Sequence, residues 1–100
     1  MEIDVSKLSL KPKVKVDRLS VTVYLGDQIT SPGFSGFAKS LSSFDQKGAF
    51  DILPDHENFV TKFSKALEIT RENGEKVNYQ NTSGVLEVAN NVVRVFVEKS

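Results

Sequence analysis

Cysteine and tryptophan are absent from this 100-residue chain, and histidine and methionine each occur once. Without cysteine there is no thiolate nucleophile, no cysteine-ligated zinc or iron–sulfur site and no disulfide framework, and the composition suits a reducing compartment. Imidazole chemistry rests on His56 alone, which excludes a histidine-based zinc site. Charge of one sign is also missing. Thirteen Lys and Arg balance thirteen Asp and Glu, so no global field steers the chain toward nucleic acid, and any partner has to be recognised locally. No apolar run reaches the length of about eighteen residues that a spanning helix needs. The start, Met1-Glu2-Ile3-Asp4-Val5, has neither the basic nor the apolar region of a signal peptide, so neither membrane insertion nor secretion by that route is expected.

What is present is β-branched. Thirteen valines, four isoleucines and five threonines recur with a period of two rather than 3.6, the pattern of half-buried strands. The length allows one domain, whose single core would bury about 65% of the unfolded surface. Ser20 to Leu25 alternates cleanly, sending Val21, Val23 and Leu25 to one face. Ser31-Pro32-Gly33 marks a turn, and the Ser-rich stretch Phe34 to Phe44 reads as a weaker strand at an edge or an interface. Gln46-Lys47-Gly48 turns into a short strand, Ala49 to Leu53, which Pro54 stops because it has no N–H for a ladder. Asp55 to Asn58 is then loop.

Phe59 to Phe63 resumes the extended pattern. Leu67 to Thr70 is expected to pair with Val77 to Tyr79 across Asn73-Gly74, a dipeptide suited to a type I′ turn with two positive φ angles. A second hairpin joins Val85–Val88 to Val92–Val97 through Asn90-Asn91, residues that tolerate the left-handed region. No sustained helical period occurs. The expected fold is all-β, a flattened sandwich of about ten short, mostly antiparallel strands. The organisation divides into residues 1–18, a basic N-terminal arm or extra edge strand, and residues 19–100, the sandwich. Lys7, Lys11, Lys13, Lys15 and Arg18 read as a solvated tail or a lysine-guarded edge. A phosphate-gripping arm is the alternative, opposed by Glu2, Asp4 and Asp17.

Catalytic patterns are weak. His56 lies among Asp51, Asp55 and Glu57 in sequence, which raises a metal or acid–base reading because carboxylates orient imidazoles. The spacing lacks the alternating oxygen ligands of a calcium loop, and a loop histidine beside acids is usually a surface residue. Gly33-Phe34-Ser35-Gly36 is one residue short of a nucleophile elbow. No phosphate-binding glycine motif occurs, and no cofactor is implied.

Three stretches nevertheless form a pattern. They are Phe34-Ser35-Gly36, then Gly48-Ala49-Phe50-Asp51-Ile52-Leu53-Pro54-Asp55-His56 with Phe59-Val60-Thr61, and lastly Ser83-Gly84-Val85-Leu86-Glu87-Val88 followed by Val92 to Val97. Together they resemble the N-terminal β-sandwich domain of the ε subunit of F-type ATP synthase, the δ subunit in mitochondria. The middle stretch is similar to that family's G-x-(L/F)-G-(I/V)-(L/Y)-P-G-H, and the last to its G-G-(F/I)-L-E-V. The likeness runs from Leu19 to Lys99. Asp51 and Asp55 stand where the family usually has Gly, Ser83 replaces the first Gly of its pair, and Ala49 occupies a position that is often acidic. The family continues past the point corresponding to Ser100 into a two-helix hairpin, so the resemblance is to the sandwich without that hairpin.

The resemblance implies a non-catalytic rotor subunit of the central stalk, bridging the γ subunit and the c-ring during proton-driven ATP synthesis. It implies that Gln28, His56 and Thr61 face γ, and that the turn Gln46, Lys47, Gly48 and Ala49 faces the ring. It further implies a peripheral complex at the cytoplasmic face of a bacterial plasma membrane, with the isolated domain soluble and monomeric. A stand-alone interaction module that reuses the sandwich is the alternative, since fold does not fix function.

Overall fold

The computed structural model describes residues 18–26 and 33–98. These form seven strands and no helix: β1 (Leu19–Leu25), β2 (Phe34–Asp45), β3 (Gly48–Ile52), β4 (Phe59–Arg71), β5 (Lys76–Gln80), β6 (Gly84–Ala89) and β7 (Val92–Val97). The N-terminal arm up to Asp17 and the candidate residue Gln28 lie outside the described residues.

The strands run in the order β3-β2-β1-β7-β6-β4-β5, and a further β2–β4 pairing closes the central five into a ring. The ring is flattened because its two longest strands each serve two layers. The first half of β2 pairs with β1 and its second half with β3. Likewise the first half of β4 pairs with β6 and its second half with β5. One layer therefore contains β2, β1, β7, β6 and β4, and the other contains β3, β2, β4 and β5. All pairings are antiparallel except β1–β7, which is parallel in the register Val21↔Val93 and Val23↔Val95.

Alternation puts the core where the period of two requires it. Val21, Val23, Val93, Val95, Leu86 and Val88 are buried from the closed layer, and Leu41, Ile52, Leu67 and Ile69 meet them from the other side, with Phe63 the largest buried side chain. Gly84 belongs to this core through an absence. A Cβ there would run into the carbonyl oxygen of Phe96 and lie 3.1 Å from the Phe63 ring. Only glycine allows β6 to start this close to β7 and β4.

The structure corrects several expectations. The Ser-rich strand is not an edge: β2 contacts β1, β3 and β4. Ser43 lies where the pairing with β4 shifts register, between Ser42 and Phe44. Ser43, 2% exposed, donates its hydroxyl to the Ala66 carbonyl at 2.6 Å, which satisfies a polar group that burial would otherwise leave unpaired. Phe59–Phe63 and Leu67–Thr70 are one strand, bent at Lys65, whose φ of 75° marks the place where β4 changes partner. The Asn73-Gly74 hairpin is not type I′. Of its residues only Gly74 has positive φ (93°), and Gly74 N donates to Arg71 O at 2.9 Å while Arg71 N donates to Glu75 O at 2.7 Å. This is a three-residue loop, a type I turn followed by a left-handed glycine. Asn90-Asn91 does form the expected two-residue turn, with φ of 52° and 66°.

Candidate functional site

The described sequence candidates lie in the turn between β2 and β3 and the first residues of β3, in the loop between β3 and β4, and at the start of β4. Asp45, the last residue of β2, connects two of these. Its Oδ1 accepts the backbone N–H of Lys47 at 2.9 Å, an Asx-type bond that shapes the turn. Its Oδ2 accepts the Thr61 hydroxyl at 3.3 Å. Asp45, Gln46 and Lys47 then line one side of a groove of about 440 Å³, and Phe59, Val60, Thr61 and Lys62 line the other. Thr61 and the Gln46–Lys47 turn thus share one surface feature. Gly48 and Ala49 are exposed beside it. Gly48 has φ of 122° with open space where a Cβ would stand, so backbone conformation accounts for this glycine.

His56 sits in the second segment, the loop Leu53 to Asn58. Its first four residues form a turn closed by His56 N donating to Leu53 O at 3.1 Å. Pro54 takes the second position and Asp55, with φ of 70°, the third. Proline followed by a left-handed residue is the requirement of a type II turn, for which glycine is the usual third residue. This explains the Pro-Gly of the resembled pattern. Asp55 meets the same requirement at a backbone cost of about 1 kcal/mol.

Two bonds hold it there: Asp55 N donates to Asn91 Oδ1 at 2.6 Å, and Asn91 Nδ2 donates to Asp55 Oδ1 at 3.3 Å. A third stitch, from Asn90 N to Asn58 Oδ1 at 2.9 Å, ties the end of the same loop to the β6–β7 turn.

The His56 ring packs 4.9 Å from the Phe59 ring, which in turn meets Phe50 edge-on at 6.1 Å. His56 Nδ1 lies 2.8 Å from Glu57 O. A carbonyl oxygen only accepts, so in the neutral ring Nδ1 carries the proton and Nε2 is left as an acceptor. Leu53 and Val60, 55% and 64% exposed, are the two most exposed large apolar side chains among the described residues, and they lie in the same stretch of chain as His56 and Thr61. The arrangement suits contact with another protein: apolar side chains beside a few polar groups held in fixed directions.

The acids that surround His56 in sequence disperse in space. Asp51 accepts the Ser42 hydroxyl at 2.5 Å on the neighbouring strand, and Asp55 is engaged with Asn91. No group of three or more potential metal ligands gathers among the described residues. The sequence reading placed Asn58 in a loop and Asn91 in a turn but named neither of them, nor Asp45, as a residue of the site. Asp45 had a local signal, an Asp two residues before a turn amide. Asn91 had none beyond its tolerance of positive φ and Asn58 had none, because their partners lie more than thirty residues away.

No curated protein matches the chain. The fold has solved likenesses. A chain of the Euglena gracilis mitochondrial ATP synthase, in a structure of its OSCP, F1 and c-ring, superposes with a TM-score of 0.76 at 19% identity, over 86% of this chain and 54% of that one. A chain from the central stalk and c-ring of the Tetrahymena thermophila mitochondrial ATP synthase gives a TM-score of 0.62 at 18% identity, over 86% of this chain and 67% of that one. The present chain therefore spans about half the length of the Euglena chain. The sequence model for the β-sandwich domain of the ATP synthase delta/epsilon chain matches residues 29–100, a span that includes both segments of the site. This chain belongs to the ATP synthase delta/epsilon chain β-sandwich family.

Proposed function

We propose that this chain is a rotor subunit in the central stalk of an F-type ATP synthase, binding the γ subunit and the c-ring and coupling rotation to ATP synthesis without itself performing chemistry. The observation that carries the reading is the family match over residues 29–100. The physical character of the domain supports it. A ring of strands that shares β2 and β4 between two layers resists deformation, because close-packed interiors transmit load rather than yield. Torque transmission needs that stiffness and a set of contact surfaces.

His56 and Thr61 are assigned to the γ contact, together with Gln28, and Gln46, Lys47, Gly48 and Ala49 to the ring. The shared groove supports treating the two contacts as adjacent, with Asp45 holding Thr61 and the Lys47 turn in one arrangement. Association with the membrane is through the complex. The finer location, the cytoplasmic face of a bacterial plasma membrane, is tested by fractionating source cells; both solved likenesses are mitochondrial.

The decisive experiment is affinity purification of the tagged protein from membranes of its own source, followed by mass spectrometry. Recovery of γ with α, β and c subunits is expected. Recovery of an unrelated partner and none of these subunits would overturn the reading in favour of a reused interaction module. Within a recovered complex, Thr61→Lys should weaken γ binding by about tenfold, the scale of one well-placed interface contact. Unchanged affinity would remove Thr61 from the interface.

A further inference from the structure

We infer that Asn91 is a positioning residue for the His56 loop, and that it holds the loop by compensating an aspartate in a backbone conformation that favours glycine. The inference rests on the γ contact proposed above and names how its conformation is set. Asp55 occupies the third position of the turn closed by His56 N and Leu53 O, with φ of 70°. Glycine accepts that angle freely, whereas aspartate favours negative φ unless something holds it.

Asn91 supplies the hold from the β6–β7 hairpin. Its carbonyl oxygen receives the Asp55 amide and its amide group donates to the Asp55 carboxylate. The two bonds engage backbone and side chain of the same residue, so they fix both its position and its rotation. Asn91 is itself well anchored, since its own φ of 66° belongs to the β6–β7 turn and its backbone carbonyl accepts Ser20 N at 2.9 Å from β1. The stitch from Asn90 N to Asn58 Oδ1 holds the far end of the loop. His56, between the two stitches, inherits its ring direction from them and from Phe59. Loss of the Asn91 side chain would free Asp55 to leave the left-handed region, open the turn at His56 N and release the ring.

The test uses Asn91→Gly, which suits the positive φ of the turn and removes only the side chain, and the double variant Asp55→Gly/Asn91→Gly, in which glycine meets the turn requirement unaided. Amide exchange at His56 is read by NMR, and affinity is measured for the γ subunit from the same source. N91G is expected to speed His56 exchange about fivefold and weaken γ binding about three- to tenfold, the scale of one or two lost hydrogen bonds. The double variant is expected to recover most of both. Unchanged His56 exchange in N91G overturns the inference, as does faster exchange that the second glycine fails to correct. Faster exchange with unaltered γ affinity overturns the positioning role while leaving the γ contact standing. If the wild-type chain itself does not bind γ, the functional reading fails and the positioning role fails with it.

Discussion

The closed layer and the open layer of this sandwich are built from the same kinds of residue but end differently. In the closed layer β1, β7 and β6 each have a partner on both sides, and every one of them contributes fully buried side chains. In the open layer β3 and β5 each have one free edge among the described residues, and β5 has no fully buried residue, with Val77 and Tyr79 only packed against the rim of the core. Strand propensity alone is therefore not expected to set local stability, since the edge strand β3 still buries Ile52 while β5 buries nothing completely. Two-sided pairing combined with burial is expected to, because hydrogen bonds and apolar area must both be satisfied. Stiffness is expected in the ring, and among the described residues the outer sides of β3 and β5 have no strand partner.

The strongest way to break this comparison is to truncate one apolar side chain in each region. Phe63→Ala should cost about 3–5 kcal/mol by transfer loss plus cavity, whereas Val77→Ala on β5 should cost about 1 kcal/mol or less, since its methyl groups are only partly buried. Denaturant unfolding measures both, and equal losses would mean that β5 carries as much of the fold as the ring.

A smaller effect sharpens the same contrast through glycine. Gly84→Ala sets a methyl group against the Phe96 carbonyl inside the ring and should cost about 2–3 kcal/mol because backbone has to move. Gly74→Ala at the tip of the β4–β5 hairpin meets open space and should cost about 1–2 kcal/mol for its positive φ alone. Thermal unfolding of the pair ranks them, and the reverse order would place the tighter constraint in the open layer.

The smallest effect is a pH dependence at β5. Burial raises the Tyr79 phenol above its ordinary 10.0, since the phenolate is disfavoured there. The folded value then exceeds the unfolded one, so this group's contribution to stability is fully present below pH 10.0 and is lost as pH rises through the raised folded value. Tyr79→Phe should make the alkaline decline in stability shallower, as read from unfolding midpoints across that range. An unchanged profile would mean that the rim around Tyr79 is already wet.

Much of the fold was legible in the residues. The clean alternation of Ser20–Leu25 and Val92–Val97 located two core strands, and Asn90-Asn91 located their neighbouring turn, because those signals act within a few residues. The pattern around Gly48 and Pro54 located the turns before β3 and after it for the same reason. The misreadings share a cause. Serines in β2 looked like an edge because composition reports average exposure, while Ser43 is buried against a carbonyl of another strand. Asn73-Gly74 looked like a two-residue turn because the dipeptide permits one, but the register of β4 on β5 leaves three residues to close the loop. Asp55 stood out only as a departure from glycine, and its compensation by Asn91 lies 36 residues downstream.

By itself the sequence determined the alternation that sends Val21 and Val23 inward, where several strands stop, and which family the chain resembles, since period, turn chemistry and local motifs are short-range properties. Only the tertiary structure decided that β1 lies parallel to β7, that β2 and β4 bend to serve two layers, that Gly84 yields its place to a carbonyl, and that Asp45 and Asn91 hold the site segments. Each of these depends on pairing between distant parts of the chain, where many arrangements satisfy the same local pattern and packing with complete hydrogen bonding selects one.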